Sequence, residues 1–239
     1  EVDATEPAPR GSTAWPTLMA IGLSGFAALG AEVVWTRLLS LLLGGTVYTF
    51  SIITGMFLAG LGIGSSAGAW LARTTRRPGV LLASSQAGVL VAVAWAALLM
   101  NREFPYWPID PALAPGPWFN FQIDLLRTAL AVVPAACCWG ASFPLALAAV
   151  ALRDRDQGRA VGRVYAANTV GAIVGALAFS LVIIPGLGTQ DAQRWMIGLS
   201  ALAAVIMLVW TPLGDAPLSA GRRIAAGVAT TVLGVVAAA

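Results

Sequence analysis

Residues 18–71 are apolar for more than fifty positions, and the only charges among them are Glu32 and Arg37. A bilayer core about 30 Å thick is crossed by about 20 apolar residues in a helix, so this stretch predicts two membrane crossings. The pattern recurs along the chain. Apolar segments are read at 15–34, 46–71, 80–100, 125–149, 164–184, 196–211 and from 224 onward. Pro134 and Pro144 interrupt the fourth and predict a kinked helix. None of the runs alternates as barrel strands do, and open strand edges are not tolerated in hydrocarbon. The expected fold is therefore an all-α integral membrane protein, a polytopic helical bundle of about seven transmembrane helices. It fills residues 15–239, incomplete at its C-terminal end, behind a flexible polar tail at 1–14 that holds Pro7 and Pro9. The chain opens on Glu1 and stops inside an apolar run, the pattern of an excerpt from a longer polypeptide.

The connections predict an orientation. One side receives Arg10, Arg73, Arg76, Arg77, Arg153, Arg155, Arg159, Arg163, Arg222 and Arg223; the other receives Arg102 and Arg194, with Arg37 and Arg127 near span ends. Basic loops stay in the cytoplasm, so the N-terminal tail is expected on the cytoplasmic side. The Arg-rich loop 153–163 alternates in sign and reads as a short amphipathic helix at the lipid surface. The outer loop 101–121 holds Pro105, Pro108, Pro111, Pro115 and Pro117 among six aromatic residues. That much proline argues against a regular helix, and the aromatics favour the headgroup level; a cap over the outer face is expected. Residues 186–194 read as a plain outer turn, and Asp124 and Arg127 are spaced to pair locally.

Composition narrows the chemistry. The chain is 58% hydrophobic and 10% charged, against about 25% charged in soluble domains, so lipid is the expected partner for most of the surface. It has no His, and all 14 basic residues are Arg. That excludes a His metal site, a His base and a His pH sensor. Cys137 and Cys138 are adjacent with no second pair, so no metal or cofactor is expected; they read as small packing residues. The basic residues are not interleaved with aromatics as in nucleic-acid binders, and no nucleic-acid partner is expected.

Two kinds of position stand out inside the spans. Gly60, Gly64 and Gly68 fall four apart, as do Ala167, Gly171 and Gly175. Such spacing lines up small residues on one helix face and lets another backbone approach. Glu32 and Arg37 are five apart, about 140° around a continuous helix at about 100° per residue. They cannot form a one-turn ion pair, so each needs a partner on another span or the helix must break. Tyr48, Tyr165 and Asn168 are the candidate partners. Three readings stay open: a polar clamp that fixes packing, a cavity in which Glu32 attracts a cationic or amine ligand, and a proton-coupling site.

Several stretches resemble a known family. Residues 25–72, with the motif Glu32-x-x-Trp35-x-Arg37 followed by Gly44-Gly45-Thr46, resemble the N-terminal membrane region of bacterial fused proteins. In that family, major-facilitator-like spans precede a spermidine-synthase-like domain. Residues 140–147 (GASFPLAL) and 162–188, with Tyr165-Ala-Ala-Asn168-Thr169-x-Gly171, resemble its later spans. The resemblance implies a major-facilitator-like bundle joined to a polyamine aminopropyltransferase-like domain of α/β fold. That domain would transfer an aminopropyl group from decarboxylated S-adenosylmethionine to an amine. The transfer needs a Gly-rich loop after a strand and carboxylates for the diamine. Neither is present here, so no catalytic residue is assigned.

The function expected on this reading is a membrane domain, in a bacterial inner membrane, that anchors the fusion and binds or passes a polyamine-related solute. Glu32, Arg37, Tyr48, Tyr165 and Asn168 would contact the ligand. Two alternatives are a non-catalytic scaffold subunit of a larger membrane complex and a secondary transporter. The partners differ accordingly: a C-terminal synthase-like domain for the first, other membrane subunits for the second.

Overall fold

A computed structural model describes residues 15–107, 116–151 and 156–210. The tail 1–14, the seventh segment from Ile224, and Arg10, Arg153, Arg155, Arg222 and Arg223 lie outside the described residues. Six α-helices follow in order: α1 (Trp15–Leu43), α2 (Val47–Thr74), α3 (Pro78–Leu98), α4 (Pro117–Ala151), α5 (Gln157–Ala178) and α6 (Ile184–Trp210). A π turn at Leu99–Glu103 and a 3₁₀ turn at Phe104–Tyr106 extend α3; a second π turn, Phe179–Ile183, joins α5 to α6. No strand occurs among the described residues. Among the described residues, five helical stretches are long and apolar enough to cross a membrane, the last running from Gln157 to Val209. At about 1.5 Å per residue that last stretch far exceeds one bilayer. It is broken at Gly188, whose φ of 85° and ψ of 171° leave the helical region.

Short connections set helix direction. Gly44, at φ 95°, ends α1, since a left-handed residue at that point is cheap only for glycine. Thr46 caps α2 by accepting from the Thr49 amide at 3.3 Å. The Gly44-Gly45-Thr46 motif is thus a three-residue reversal.

The bundle is built on two glycine seams. Along α1 and α5, Gly171 lies against the Gly22 main chain, Gly175 against Phe26, and Gly30 against the Phe179 ring. Along α2 and α4, Gly60 faces Val133 and Ala136, Gly64 faces the Cys137 main chain, and Gly68 faces Ala141 and Pro144. Contacts advance together along both members of each pair, so each pair is parallel. A Cβ at Gly68 would stand 2.7 Å from Ala141 Cα, too close for any side chain.

α4 keeps both internal prolines. Proline removes one helical donor, which orphans the carbonyl four residues earlier. Pro134 orphans Leu130, whose carbonyl accepts from the Trp95 indole of α3 at 3.2 Å. Pro144 orphans Gly140, whose carbonyl accepts from the Ser65 hydroxyl of α2 at 3.1 Å. Neighbouring helices thereby repair both defects, as a span in hydrocarbon requires.

The core has two apolar layers. The larger joins Trp35, Phe57, Leu90, Trp139, Phe179 and Met196; the smaller joins Ile21, Leu82, Leu145, Val150, Val164 and Met207. Between them lies a polar node. Gln86 Nε2 donates to Ser142 Oγ at 2.9 Å and to Ser24 Oγ at 3.4 Å. Ser85 and Ser142 both donate to the Cys138 carbonyl, at 2.7 and 2.8 Å.

Three local expectations need correction. Within 101–121, the described residues are largely helical, because Pro117 opens α4 and Pro105 sits at the start of a 3₁₀ turn; early helical positions tolerate proline. Residues 186–194 are not a plain turn: they are helical apart from the break at Gly188, and Arg194 pairs with Asp191 one turn back at 2.9 Å. From Gln157 onward the Arg-rich segment is the first part of α5, capped by the Asp156 carboxylate, which accepts from the Arg159 amide at 3.1 Å.

Candidate functional site

α1 runs unbroken through Glu32 and Arg37, so the two stay about 140° apart around its axis. Glu32 is half-buried and Arg37 exposed. Neither makes a hydrogen bond or ion pair among the described residues.

Helical phase places the other candidates. Gly25 precedes Glu32 by seven residues and shares its face within about 20°. Where Gly25 lacks a side chain, Asn168 of α5 fills the space, its Oδ1 2.9 Å from the position of a Cβ. Asn168 therefore stands on the Glu32 side of α1, about 10 Å along the axis. Tyr165 is a further turn away and meets Phe143 of α4 edge-on, with ring centroids 6.2 Å apart. Asn168 and Tyr165 share α5, with Tyr165 one turn farther than Asn168 from the level of Glu32, so the three do not form a cluster.

Tyr48 lies elsewhere. It sits in the first turn of α2, which packs on α4, so its hydroxyl donates to Asp124 Oδ2 at 3.3 Å and its ring meets Phe121. It partners neither Glu32 nor Arg37. Asp124 and Arg127 interact electrostatically without a direct ion pair. The Arg127 guanidinium lies 5.8 Å from the Trp107 ring centroid and donates to the Trp107 carbonyl.

One turn beyond Glu32, Trp35 is fully buried. Its ring lies 5.7 Å from Trp139, which lies 6.1 Å from Phe57. The indole N–H groups of Trp35 and Trp139 find no acceptor among the described residues. Both thiols are free, and among the described residues no three Cys, Asp or Glu side chains gather as a metal set.

Sequence reasoning missed the polar residues that do converge. Gln86, Ser24, Ser85 and Ser142 form the central node. Near the other end Asn101 Nδ2 donates to Gln193 Oε1 at 2.9 Å, and Gln193 is buried. The signal was available: an uncharged amide inside an apolar span needs an interhelical partner.

Curated relatives share this sequence pattern. Polyamine aminopropyltransferase 1 of Streptomyces coelicolor is 27% identical over 194 residues, covering 81% of this chain and 33% of the relative. Polyamine aminopropyltransferase 1 of Ralstonia nicotianae is 26% identical over 222 residues, covering 91% of this chain and 38% of the relative. Polyamine aminopropyltransferase 2 of Streptomyces coelicolor is 30% identical over 179 residues, covering 72% of this chain and 30% of the relative. The chain spans about a third of the length of these relatives. No family profile and no solved structure matches it.

Proposed function

We propose that this chain is the membrane-embedded part of a polyamine aminopropyltransferase-like protein, and that it binds an amine solute at Glu32. The observation that carries the reading is the Glu32 carboxylate: half-buried on an apolar helix and unpaired among the described residues. A carboxylate in that setting needs a cationic partner or a functional role. The names of the relatives supply the class of cation, a polyamine. Glu32 on α1 and Asn168 against Gly25, about 10 Å apart along the helix axis, suit an elongated cation, with its ammonium on Glu32 and its next polar group near Asn168.

The membrane role rests on the five apolar helical stretches and on exposed aromatics at both ends: Trp15 and Trp70 at one, Tyr106, Trp107, Trp118 and Trp195 at the other. Rings at the ends of spans mark the headgroup level. The end bearing Arg73, Arg76 and Arg77 is the cytoplasmic one, in a bacterial inner membrane, and a major-facilitator-like arrangement is the architecture proposed.

Equilibrium binding of labelled spermidine to the chain in proteoliposomes tests the reading. The parent chain is expected to bind, and Glu32→Gln to weaken binding at least about tenfold through loss of the charge pair. Unchanged binding in that variant refutes the ligand role. Release of the protein from membranes by alkaline carbonate refutes the embedding.

A further inference from the structure

The turn between α2 and α3 gathers an indole and a basic cluster on a rigid base. Trp70 and Arg73 are three apart on the last turns of α2 and share a face; both are exposed, as is Arg76. The Thr75 amide donates to the Leu71 carbonyl at 3.0 Å, the Thr74 hydroxyl to the Trp70 carbonyl at 3.2 Å, and the Arg77 amide to Thr75 Oγ1 at 3.1 Å. The backbone that presents the guanidinium groups is therefore fixed.

Charge at this end is one-sided. The described basic residues here are Arg73, Arg76, Arg77, Arg159 and Arg163, against one described acid, Asp156. Arg77, Arg163 and Asp156 are already engaged. Arg73 and Arg76 have no hydrogen bond or ion pair among the described residues. At the opposite end Arg194 is held by Asp191 and Arg127 by Trp107, Arg37 and Arg102 are without a hydrogen bond or ion pair among the described residues, and Glu103, Asp124 and Asp191 bring the charge closer to balance.

We infer that the α2–α3 turn binds the phosphate headgroup of an anionic phospholipid, with Arg73 and Arg76 on the phosphate and Trp70 at the glycerol level. The inference rests on the membrane-embedded reading. Guanidinium groups match phosphate oxygens bidentately. Basic residues beside a span attract anionic lipid. A lipid is favoured over an acidic protein segment because Trp70 follows the exposed Ile63 of α2 by seven residues, on the same helix face within about 20°. The indole thus joins the charged turn to a hydrocarbon-facing surface.

Native mass spectrometry of the full chain in mild detergent, given equal phosphatidylglycerol and phosphatidylcholine, provides the test. Preferential retention of phosphatidylglycerol is expected. The double variant Arg73→Gln/Arg76→Gln should lower that retention about tenfold, and Arg194→Gln at the far end should leave it unchanged. Equal retention of the two lipids by the parent chain overturns the inference, as does a folded double variant that keeps its preference. Displacement of phosphatidylglycerol by poly-glutamate assigns the turn to an acidic polypeptide and overturns it equally. Should the double variant misfold, brominated phosphatidylglycerol decides with intact arginines. Quenching of parent-chain fluorescence should exceed that of Trp70→Phe, and equal quenching counts against the site. A chain that stays in solution without detergent would instead remove the embedding on which the inference stands.

Discussion

Gln86 and Glu32 carry side chains of the same shape on neighbouring helices, and the bundle treats them in opposite ways. Gln86 is fully buried and donates to serines of two other helices. Glu32 is half-buried, with no partner among the described residues. The difference separates two uses of polarity in an apolar bundle. A neutral amide can be satisfied by hydroxyls on packed helices, and then it joins them. A carboxylate left open at the edge of the core has no such tie among the described residues, and under the proposed function its partner would come from outside.

The contrast can be broken or sharpened by substitution, beginning with the scaffold on which both residues stand. Gly64→Val drives a side chain into the Cys137 main chain, and overpacking of this kind costs about 1–3 kcal/mol. Gly62→Val, on the same helix where a Cβ would meet nothing within 4 Å, should be nearly neutral. Unfolding midpoints in mixed detergent read both, and equal losses would show that the α2–α4 seam is not close-packed. Gln86→Leu should cost about 1–2 kcal/mol, the upper part of the range for interhelical hydrogen bonds. A stability equal to the parent would reduce the node to an incidental contact.

Ser65→Ala should cost about 1 kcal/mol by orphaning the Gly140 carbonyl. In a Pro144→Ala background, where the helix regains its own donor, the same change should cost less. A double-mutant cycle showing no coupling would disprove the repair. Tyr48→Phe removes an exposed hydrogen bond of 3.3 Å and should shift stability by less than about 0.5 kcal/mol. Smallest of all, Glu32→Gln should leave the unfolding midpoint where it is while amine binding falls. A stability loss as large as that of Gln86→Leu would make Glu32 a packing residue.

Legibility from sequence followed the strength of the periodic signal. The small-residue rows at Gly60, Gly64 and Gly68 and at Gly171 and Gly175 repeat every four positions, and a helix converts that spacing into a face. Glu32 stood out because a charge in an apolar run is expensive. Gln86 did not, since a single amide among residues 80–100 has no spacing and no net charge; only its tertiary partners give it meaning. Tyr48 is a candidate partner for Glu32 as a polar residue on another span, yet the pairing of α2 with α4 gives it Asp124 instead. Proline misled in residues 101–121. Its cost depends on position within a helix, and Pro117 occupies a position where the missing N–H is harmless.

The two prolines of α4 leave a mechanical signature. Each leaves a carbonyl that a neighbouring helix satisfies, with Trp95 from α3 and Ser65 from α2. Sliding or turning α4 against either helix would strand an acceptor in oil. Should the bundle rock during a working cycle, α2, α3 and α4 must travel as one block.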